Sequence, residues 1–220
     1  MELIKIFIVG PYHSGKTTFI RQLDPTARSM ERLLEDGSTT TIGLDFGAVY
    51  WVNCPNIQLE KLVSPTVYEK NKEMLGSCTT RKVILIGSPG QSRFSKLRRA
   101  LSVGSHGILL VADGSNFNKL SLKRLLNELK GYFDNSIPMV AIVNKQDLPN
   151  VLRAKDVTEL IPEFRSIPVL ETSALKGIGV VEAMLTLLRM VEAAGIHKIS
   201  ETEEKKTQEK VILEFSRDWV

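Results

Sequence analysis

The chain has 220 residues, 43% of them hydrophobic, and a formal net charge of +4. This length suits one α/β domain with appendages, since domains commonly have about 100–200 residues. The hydrophobic content excludes global disorder, and the charge is too small to indicate a nucleic-acid partner by itself. Two cysteines, Cys54 and Cys78, exclude a disulfide framework and a zinc site. They favour a reducing, cytoplasmic location. The alternative, one disulfide between the two cysteines if their loops meet, is left undecided by the sequence.

No apolar run approaches the roughly 18 residues that a membrane-spanning helix needs. The N-terminus begins directly in a strand-like run and has none of the features of a signal peptide. Position 2 is not glycine, and no prenylation cysteine stands near Val220. We therefore expect no intrinsic membrane anchor, so that any membrane association depends on a partner.

Apolar runs alternate with helical periodicity along the chain. The predicted strands are 3–9, 44–52, 82–87, 107–113, 137–143 and 167–171. The predicted helices are 15–23, 94–103, 118–133, 153–160 and 179–194. This alternation predicts an α/β fold with a doubly wound, mainly parallel sheet, which binds ligands at the carboxyl ends of its strands.

Two segments depart from the alternation. Residues 53–80 are long for a connection between neighbouring strands, and such connections are commonly functional or mobile. The segment 196–220 is charged and then becomes apolar at 211–215. We interpret it as a solvated or loosely docked appendage. The predicted organisation is a domain over 1–195, with an insertion at about 53–80, followed by the appendage 196–220.

A phosphate-binding motif stands between the first predicted strand and the first helix. Residues 10–17 read Gly-x4-Gly-Lys-Thr, the P-loop pattern. Its glycines let backbone N–H groups wrap around an anion at a helix N-terminus, Lys16 reaches the phosphates, and the Thr17 hydroxyl binds Mg²⁺. The alternative is a strand-to-helix turn that merely contains glycines. The predicted phosphate-binding residues are Gly10, His13, Ser14, Gly15, Lys16, Thr17 and Thr18.

Residues that would recognise guanine follow the fifth and sixth predicted strands. Asp147 would accept both hydrogens of the guanine N1–H and N2–H₂ edge, a charge-assisted bidentate contact. Lys145 would cover the base, and Asn144 would tie this loop to the P-loop. After the last strand, Ser173-Ala174-Leu175 would offer the Ala174 N–H to guanine O6. The pairing of the two segments favours guanine over adenine, and the predicted base-binding residues are Asn144, Lys145, Asp147, Ser173, Ala174 and Leu175.

With these motifs, residues 1–195 resemble the Ras-like small GTPases. The run 144–150, Asn-Lys-Gln-Asp-Leu-Pro-Asn, looks especially like the ADP-ribosylation-factor branch. The resemblance implies the P-loop NTPase fold of the small G-protein type, with one antiparallel strand in the sheet. It also implies GTP or GDP as ligand, Mg²⁺ as cofactor, slow GTP hydrolysis and two switch segments that respond to the γ-phosphate.

The same resemblance assigns the switch residues. Thr41, in Thr41-Ile42-Gly43, corresponds to the threonine that binds Mg²⁺ and the γ-phosphate. In Gly87-Ser88-Pro89-Gly90-Gln91, the Gly90 N–H would contact the γ-phosphate and Gln91 would orient the attacking water. Together with Lys16, these two form the predicted catalytic set.

Two positions depart from the family pattern. Gly87 stands where the family has an aspartate that serves Mg²⁺, and Asp45 could supply that carboxylate from a strand antiparallel to 82–87. This combination is similar to a prokaryotic, polarity-type branch of small GTPases; the alternative is that Asp45 lies on a solvated face of the sheet. The predicted metal set is Thr17, Thr41 and Asp45. Tyr12 stands where Ras has glycine, close to the γ-phosphate, which predicts slow turnover.

The sequence leaves two classes of function open. The first is a GTP-hydrolysing molecular switch, whose switch segments contact a protein effector or activator. The cationic run 93–99, beside Gln91, is either such a contact surface or a solvated amphipathic helix. The second class is a guanine-nucleotide-binding scaffold without turnover, which Gly87 and Tyr12 favour and which Gln91 and Thr41 disfavour.

Overall fold

The computed structural model describes residues 2–33, 39–133 and 137–195. The strands are β1 (Glu2–Val9), β2 (Arg28–Leu33), β3 (Thr39–Cys54), β4 (Leu59–Val63), β5 (Thr79–Gly87), β6 (Gly107–Asp113), β7 (Met139–Asn144) and β8 (Val169–Glu171). The helices are α1 (Lys16–Leu23), α2 (Pro65–Asn71), α3 (Ser95–Ser102), α4 (Lys119–Tyr132), α5 (Ala154–Leu160) and α6 (Val180–Ala193). All six predicted strands and all five predicted helices are present.

The described strands form one sheet in the order β2-β3-β5-β1-β6-β7-β8, with β4 also paired to β3. The strands β5, β1, β6, β7 and β8 are mutually parallel. Strand β3 is antiparallel to each of its partners, β2, β4 and β5. Among the described strands β3 is therefore the one that runs against the others, which confirms the predicted mainly parallel sheet with one antiparallel strand.

Helices cover both faces of the sheet. On one face, α1 and α6 pack on alternate side chains of the central strands, and on the other face α3, α4 and α5 pack on the intervening ones. Strand β6 is buried along its whole length, as expected of a strand covered on both sides. The doubly wound arrangement brings the carboxyl ends of β1, β6 and β7 together at one edge.

The sequence did not predict β2 and β4. Both are short strands of mixed polarity at the edge of the sheet, Arg28-Ser-Met-Glu-Arg-Leu33 and Leu59-Glu-Lys-Leu-Val63. Such strands lack the apolar, β-branched run by which buried strands are predicted. They form because the long strand β3 offers them its free edge, with β2 on its first half and β4 on its second.

The insertion 53–80 has its own elements and its own small core. Strand β4 pairs antiparallel with β3. The ring of Tyr68, on α2, stacks on the ring of Tyr50, with the centroids 3.8 Å apart. A disulfide joins Cys54 to Cys78, across the ends of β3 and β5. The bridge that the sequence left open is thus formed, and these cysteines no longer favour a reducing compartment.

The charged appendage 196–220 lies outside the described residues, so its interpretation stays a prediction. Over the ranges that the structure describes, no helix is both long and apolar enough to cross a membrane.

Candidate nucleotide-binding site

The P-loop connects β1 to α1 by a tight turn with two close approaches. A Cβ on Gly10 would lie 2.3 Å from the carbonyl oxygen of Val111. Gly15 has a φ of 96°, and a Cβ there would lie 2.2 Å from Nδ2 of Asn144. Both positions therefore require glycine, Gly10 for the approach to β6 and Gly15 for its left-handed backbone and the approach to the loop after β7.

Lys16 is buried inside this loop. Its Nζ donates hydrogen bonds to the carbonyl oxygens of Gly10, at 3.0 Å, and Pro11, at 2.8 Å. Burial lowers the pKa of Lys16 to about 8, because removal from water disfavours the ammonium. An anion in the loop would supply the opposite charge that this buried lysine needs.

The other predicted phosphate-binding residues surround Lys16 on the loop and the first helix. His13 has a φ of 60°, and its exposed ring packs on that of Tyr12 with centroids 3.8 Å apart. Among the residues that the structure describes, the hydroxyl of buried Ser14 has no hydrogen-bond partner, and Thr18 lies exposed on α1. The positive φ of His13 turns the backbone as a phosphate-wrapping loop requires.

Asp45 and Thr17 bring a carboxylate and a hydroxyl together beside the P-loop. The Thr17 hydroxyl donates to Oδ2 of Asp45 at 2.7 Å, and the Ser29 hydroxyl donates to Oδ1 at 2.6 Å. Asp45 is 1% exposed, so the alternative that it lies on a solvated face is wrong. Oxygen ligands of these two types are what Mg²⁺ prefers, with further positions left to phosphate and water. The donor set thus fits Mg²⁺.

The register of β3 against β5 explains why position 87 is glycine. The strand that carries Asp45 is antiparallel to β5, as predicted, and Asp45 pairs directly with Gly87. A Cβ at position 87 would lie 2.8 Å from Cδ1 of Ile20 and 3.0 Å from Cβ of Asp45. An aspartate at 87 would therefore compete with Asp45 for the same space. A carboxylate at position 45 thus disfavours a carboxylate at position 87.

Asn144 connects the base-recognition loops to the P-loop. Its Nδ2 donates to the carbonyl oxygen of Ser14 at 2.9 Å, as predicted. Its Oδ1 accepts from the backbone N–H of Ala174 at 2.9 Å and from the Thr172 hydroxyl at 3.2 Å. The Ala174 N–H, predicted to donate to guanine O6, therefore already has an acceptor in this structure. Its contact with the base stays a prediction.

Asp147 and Lys145 are each held by a partner. The Ser173 hydroxyl donates to Oδ1 of Asp147 at 2.5 Å, which lowers the pKa of that carboxyl. Lys145 donates from Nζ to Oδ2 of Asp113, also at 2.5 Å. Burial alone would raise the pKa of Asp113, but the hydrogen bonds from Lys145 and Ser115 outweigh it and lower the pKa. The neighbouring Leu175 is 73% exposed.

The second switch segment lies directly on the P-loop. A Cβ on Gly90 would lie 2.5 Å from the backbone nitrogen of Tyr12, so only glycine allows this approach. The contact places Gln91 beside the phosphate loop, with its side chain half-buried. In the first switch segment, the Thr41 backbone belongs to β3, and its side chain lies outside the described part of the structure.

The sequence did not predict Ser29 or Asp113, and it placed Arg98 only within the cationic run 93–99. Ser29 and Asp113 each hold a predicted site residue, Asp45 and Lys145 respectively. Asp113 is the last residue of an apolar strand, the position where ligands gather, and that signal could have identified it. Ser29 has no such signal, because its role depends on the pairing of β2 with β3.

Comparison with known proteins identifies the family. The model of the family described as the Ras family matches residues 5–193. The chain belongs to the Ras family. It is similar to GTP-binding protein YPT1 of Saccharomyces cerevisiae, with 26% identity over 93% of this chain and 86% of the relative. It is also similar to Ras-related protein Rab-27B of Bos taurus, with 30% identity over 86% of this chain and 79% of the relative.

A bacterial protein matches a shorter part of the chain. The Mutual gliding-motility protein MglA of Myxococcus xanthus is 29% identical over 47% of this chain and 55% of that protein. The Ras-like assignment made from the motifs is thereby confirmed, as is the small G-protein fold. The finer placement near the ADP-ribosylation-factor and polarity-type branches stays a prediction.

Proposed function

We propose that this Ras-family chain binds GTP and GDP together with Mg²⁺ and hydrolyses GTP slowly, as a molecular switch. The observation that carries the proposal is the connection made by Asn144. Its side chain contacts the P-loop at Ser14 and the Ser-Ala loop at Ala174, so phosphate-binding and guanine-binding segments form one hydrogen-bonded unit. The names of relatives such as YPT1, a GTP-binding protein, support the same ligand.

The predicted residues that contact the base, the phosphates and the metal have separate roles in this proposal. The carboxylate of Asp147, oriented by Ser173, accepts the guanine hydrogens, and the Lys145 stem, held by Asp113, covers the base. Lys16 neutralises charge on the β- and γ-phosphates. Mg²⁺, held by Thr17, Asp45 and Thr41, would supply further charge neutralisation on the phosphates when bound.

Hydrolysis would proceed by in-line attack of a water on the γ-phosphate. Gln91 orients that water, and the Gly90 N–H contacts the γ-phosphate. Exposed Tyr12 lies on the loop that Gly90 touches, where its ring would crowd Gln91 or an incoming arginine. We therefore expect a low intrinsic rate and an activator or effector that contacts the switch segments, with the cationic helix α3 as part of that surface.

A second candidate is a guanine-nucleotide-binding scaffold without turnover. Gly87 and Tyr12 are the observations that favour it, because both alter the surroundings of the γ-phosphate. The cytoplasmic location inferred from the sequence belongs to this proposal as well and has no support from the cysteines.

Single-turnover GTP hydrolysis on nucleotide-exchanged protein tests the proposal. We expect slow, Mg²⁺-dependent conversion to GDP in the wild type and its loss in Gln91→Leu. The affinity of both proteins for a fluorescent GDP analogue should stay the same. Excess GTP, but not ATP, should displace that analogue.

The possible outcomes separate the two candidates. Tight guanine binding without turnover, and with no difference between wild type and Gln91→Leu, supports the scaffold. Displacement by ATP as effective as by GTP contradicts guanine recognition by Asp147.

A further inference from the structure

Arg98 on α3 is a buried charge, 1% exposed, on a helix whose other cations, Lys96 and Arg99, face solvent. Burial of a guanidinium is costly unless charge and hydrogen-bonding partners compensate for it. Its partners therefore indicate what holds it in place, and they lie on two sides.

On one side the guanidinium pairs with Glu128 of α4. Nε and Nη2 of Arg98 donate to the two carboxylate oxygens at 2.7 to 2.9 Å, a bidentate ion pair. The Tyr132 hydroxyl lies 3.2 Å from Oε2 of Glu128 and 2.9 Å from the carbonyl oxygen of Ser95. These contacts fix the plane and the orientation of the guanidinium relative to α4.

On the other side the guanidinium faces the second switch segment. Nη1 donates to the carbonyl oxygen of Pro89 at 3.0 Å and to that of Gln91 at 2.7 Å. These carbonyls flank Gly90, the residue that lies on the P-loop. One side chain thus connects the backbone of 89–91 to α4.

We propose that Arg98 is a positioning residue for Gln91, with Glu128 as the group that orients it. This inference rests on the proposed hydrolysis by Gln91. Arg98 contacts the backbone of 89–91, so it acts through the placement of Gln91 and Gly90. Helix α4 is thereby the rigid support on which the second switch segment is held. A misplacement of about 1 Å at a reacting group can lower a rate by about 10²-fold.

Arg98→Lys tests the proposal, because lysine keeps the charge but cannot form the planar fork that reaches Glu128 and two carbonyls at once. We expect single-turnover GTP hydrolysis to fall by about 10- to 100-fold. The affinity for GDP should change by less than about twofold, equivalent to about 0.4 kcal/mol. The matched control is Arg124→Lys, the same substitution at an exposed position of α4, which should behave as wild type.

Glu128→Gln provides a second variant that keeps side-chain size. If Arg98 and Glu128 act as one unit, the double variant Arg98→Lys/Glu128→Gln should hydrolyse GTP no more slowly than the slower single variant. Additive losses, unchanged hydrolysis in Arg98→Lys, or parallel losses of hydrolysis and GDP affinity would each overturn the proposal.

Amide hydrogen exchange gives a readout that does not depend on hydrolysis. In the GDP-bound protein, Arg98→Lys should accelerate exchange in the peptide covering 88–94 and leave the P-loop peptide unchanged. If wild-type protein binds GDP without hydrolysing GTP, the proposed function fails, while accelerated exchange at 88–94 still shows the positioning role. Unchanged exchange there overturns the positioning role even if hydrolysis is observed.

Discussion

Asp45 is the residue on which the proposed metal site depends. It is buried, it accepts hydrogen bonds from Thr17 and Ser29, and it lies opposite the glycine that replaces the family aspartate. Because a side chain at position 87 would crowd Ile20 and Asp45, we take Asp45 as the carboxylate available to Mg²⁺ at this point. We therefore expect the enhancement of nucleotide binding by Mg²⁺ to depend on the Asp45 carboxylate.

The substitution Asp45→Asn keeps the shape of the side chain and removes its negative charge. Since altered metal surroundings commonly cost about 10- to 100-fold in metal affinity, the Mg²⁺ concentration that half-maximally enhances GDP binding should rise by at least about tenfold. A titration of Mg²⁺ at fixed fluorescent GDP analogue measures this. GDP affinity in excess chelator should be the same in both proteins, which controls for damage to the pocket. An identical Mg²⁺ midpoint would contradict the role of Asp45.

For individual residues, the sequence predicted those that would contact the nucleotide or the metal. It missed the residues whose hydrogen bonds keep them in position. Asp45 was predicted because Gly87 lacks the aspartate of the family pattern and a neighbouring antiparallel strand could supply that carboxylate; its register opposite Gly87 is known only from the structure. Asp113 and Arg98 act through contacts between elements far apart in the chain, β6 with the loop after β7 and α3 with α4. No local pattern records which helices and loops meet, so these roles appear only in the folded chain.

Strand β3 is the element that links the site to the insertion. It carries Asp45 near its middle and Cys54 at its end, nine residues apart, or about 30 Å at about 3.3 Å per residue. The Cys54–Cys78 bridge closes the pair β3–β5 at the end remote from the nucleotide. It encloses β4 and α2, two elements that, like β2, the sequence did not predict.

We expect the disulfide to stabilise the chain without affecting nucleotide binding. Closing a loop of 24 residues restricts the unfolded state, which corresponds to about 3 kcal/mol. The double variant Cys54→Ala/Cys78→Ala should lose about that free energy of unfolding in urea. Its affinity for GDP should equal that of wild type, because the bridge is remote from Asp45.

Reduced wild type is the control for this comparison. It should unfold at the urea concentration of the double variant if the bridge, and not the loss of packing around the cysteines, is responsible. Alkylation followed by mass measurement counts the free thiols in each sample. Two free thiols in unreduced wild type, or equal stability of all three samples, would contradict the bridge.

For the whole molecule, the pattern of apolar residues predicts the buried strands and helices, but it does not predict the strands at the edge of the sheet. The apolar runs of β1, β6 and β7 and the leucine spacing of α4 are dictated by burial between two layers of helices, and burial is what the sequence pattern records. Strands β2 and β4 are polar edge strands whose pairing is set by β3. Their positions required the assembled sheet.

The two large cores also delimit the folded unit. Their buried members lie between Ile4 on β1 and Val191 on α6, and the family match covers 5–193. Ion pairs of Arg189 with Glu60 and of Arg81 with Glu192 join α6 to the insertion and to β5. A chain that ends at Gly195 keeps all of these contacts.

We therefore expect the chain truncated after residue 195 to fold and to bind guanine nucleotide as the full chain does. Its urea midpoint should be unchanged, and its GDP affinity should stay within about twofold, or about 0.4 kcal/mol. The matched control is truncation after residue 187, which removes Leu188 and Val191 from the core and should abolish cooperative unfolding. A lower midpoint for the 195-residue chain would show that residues 196–220 stabilise the domain, and a selective loss of GDP affinity would show that they contribute to the site.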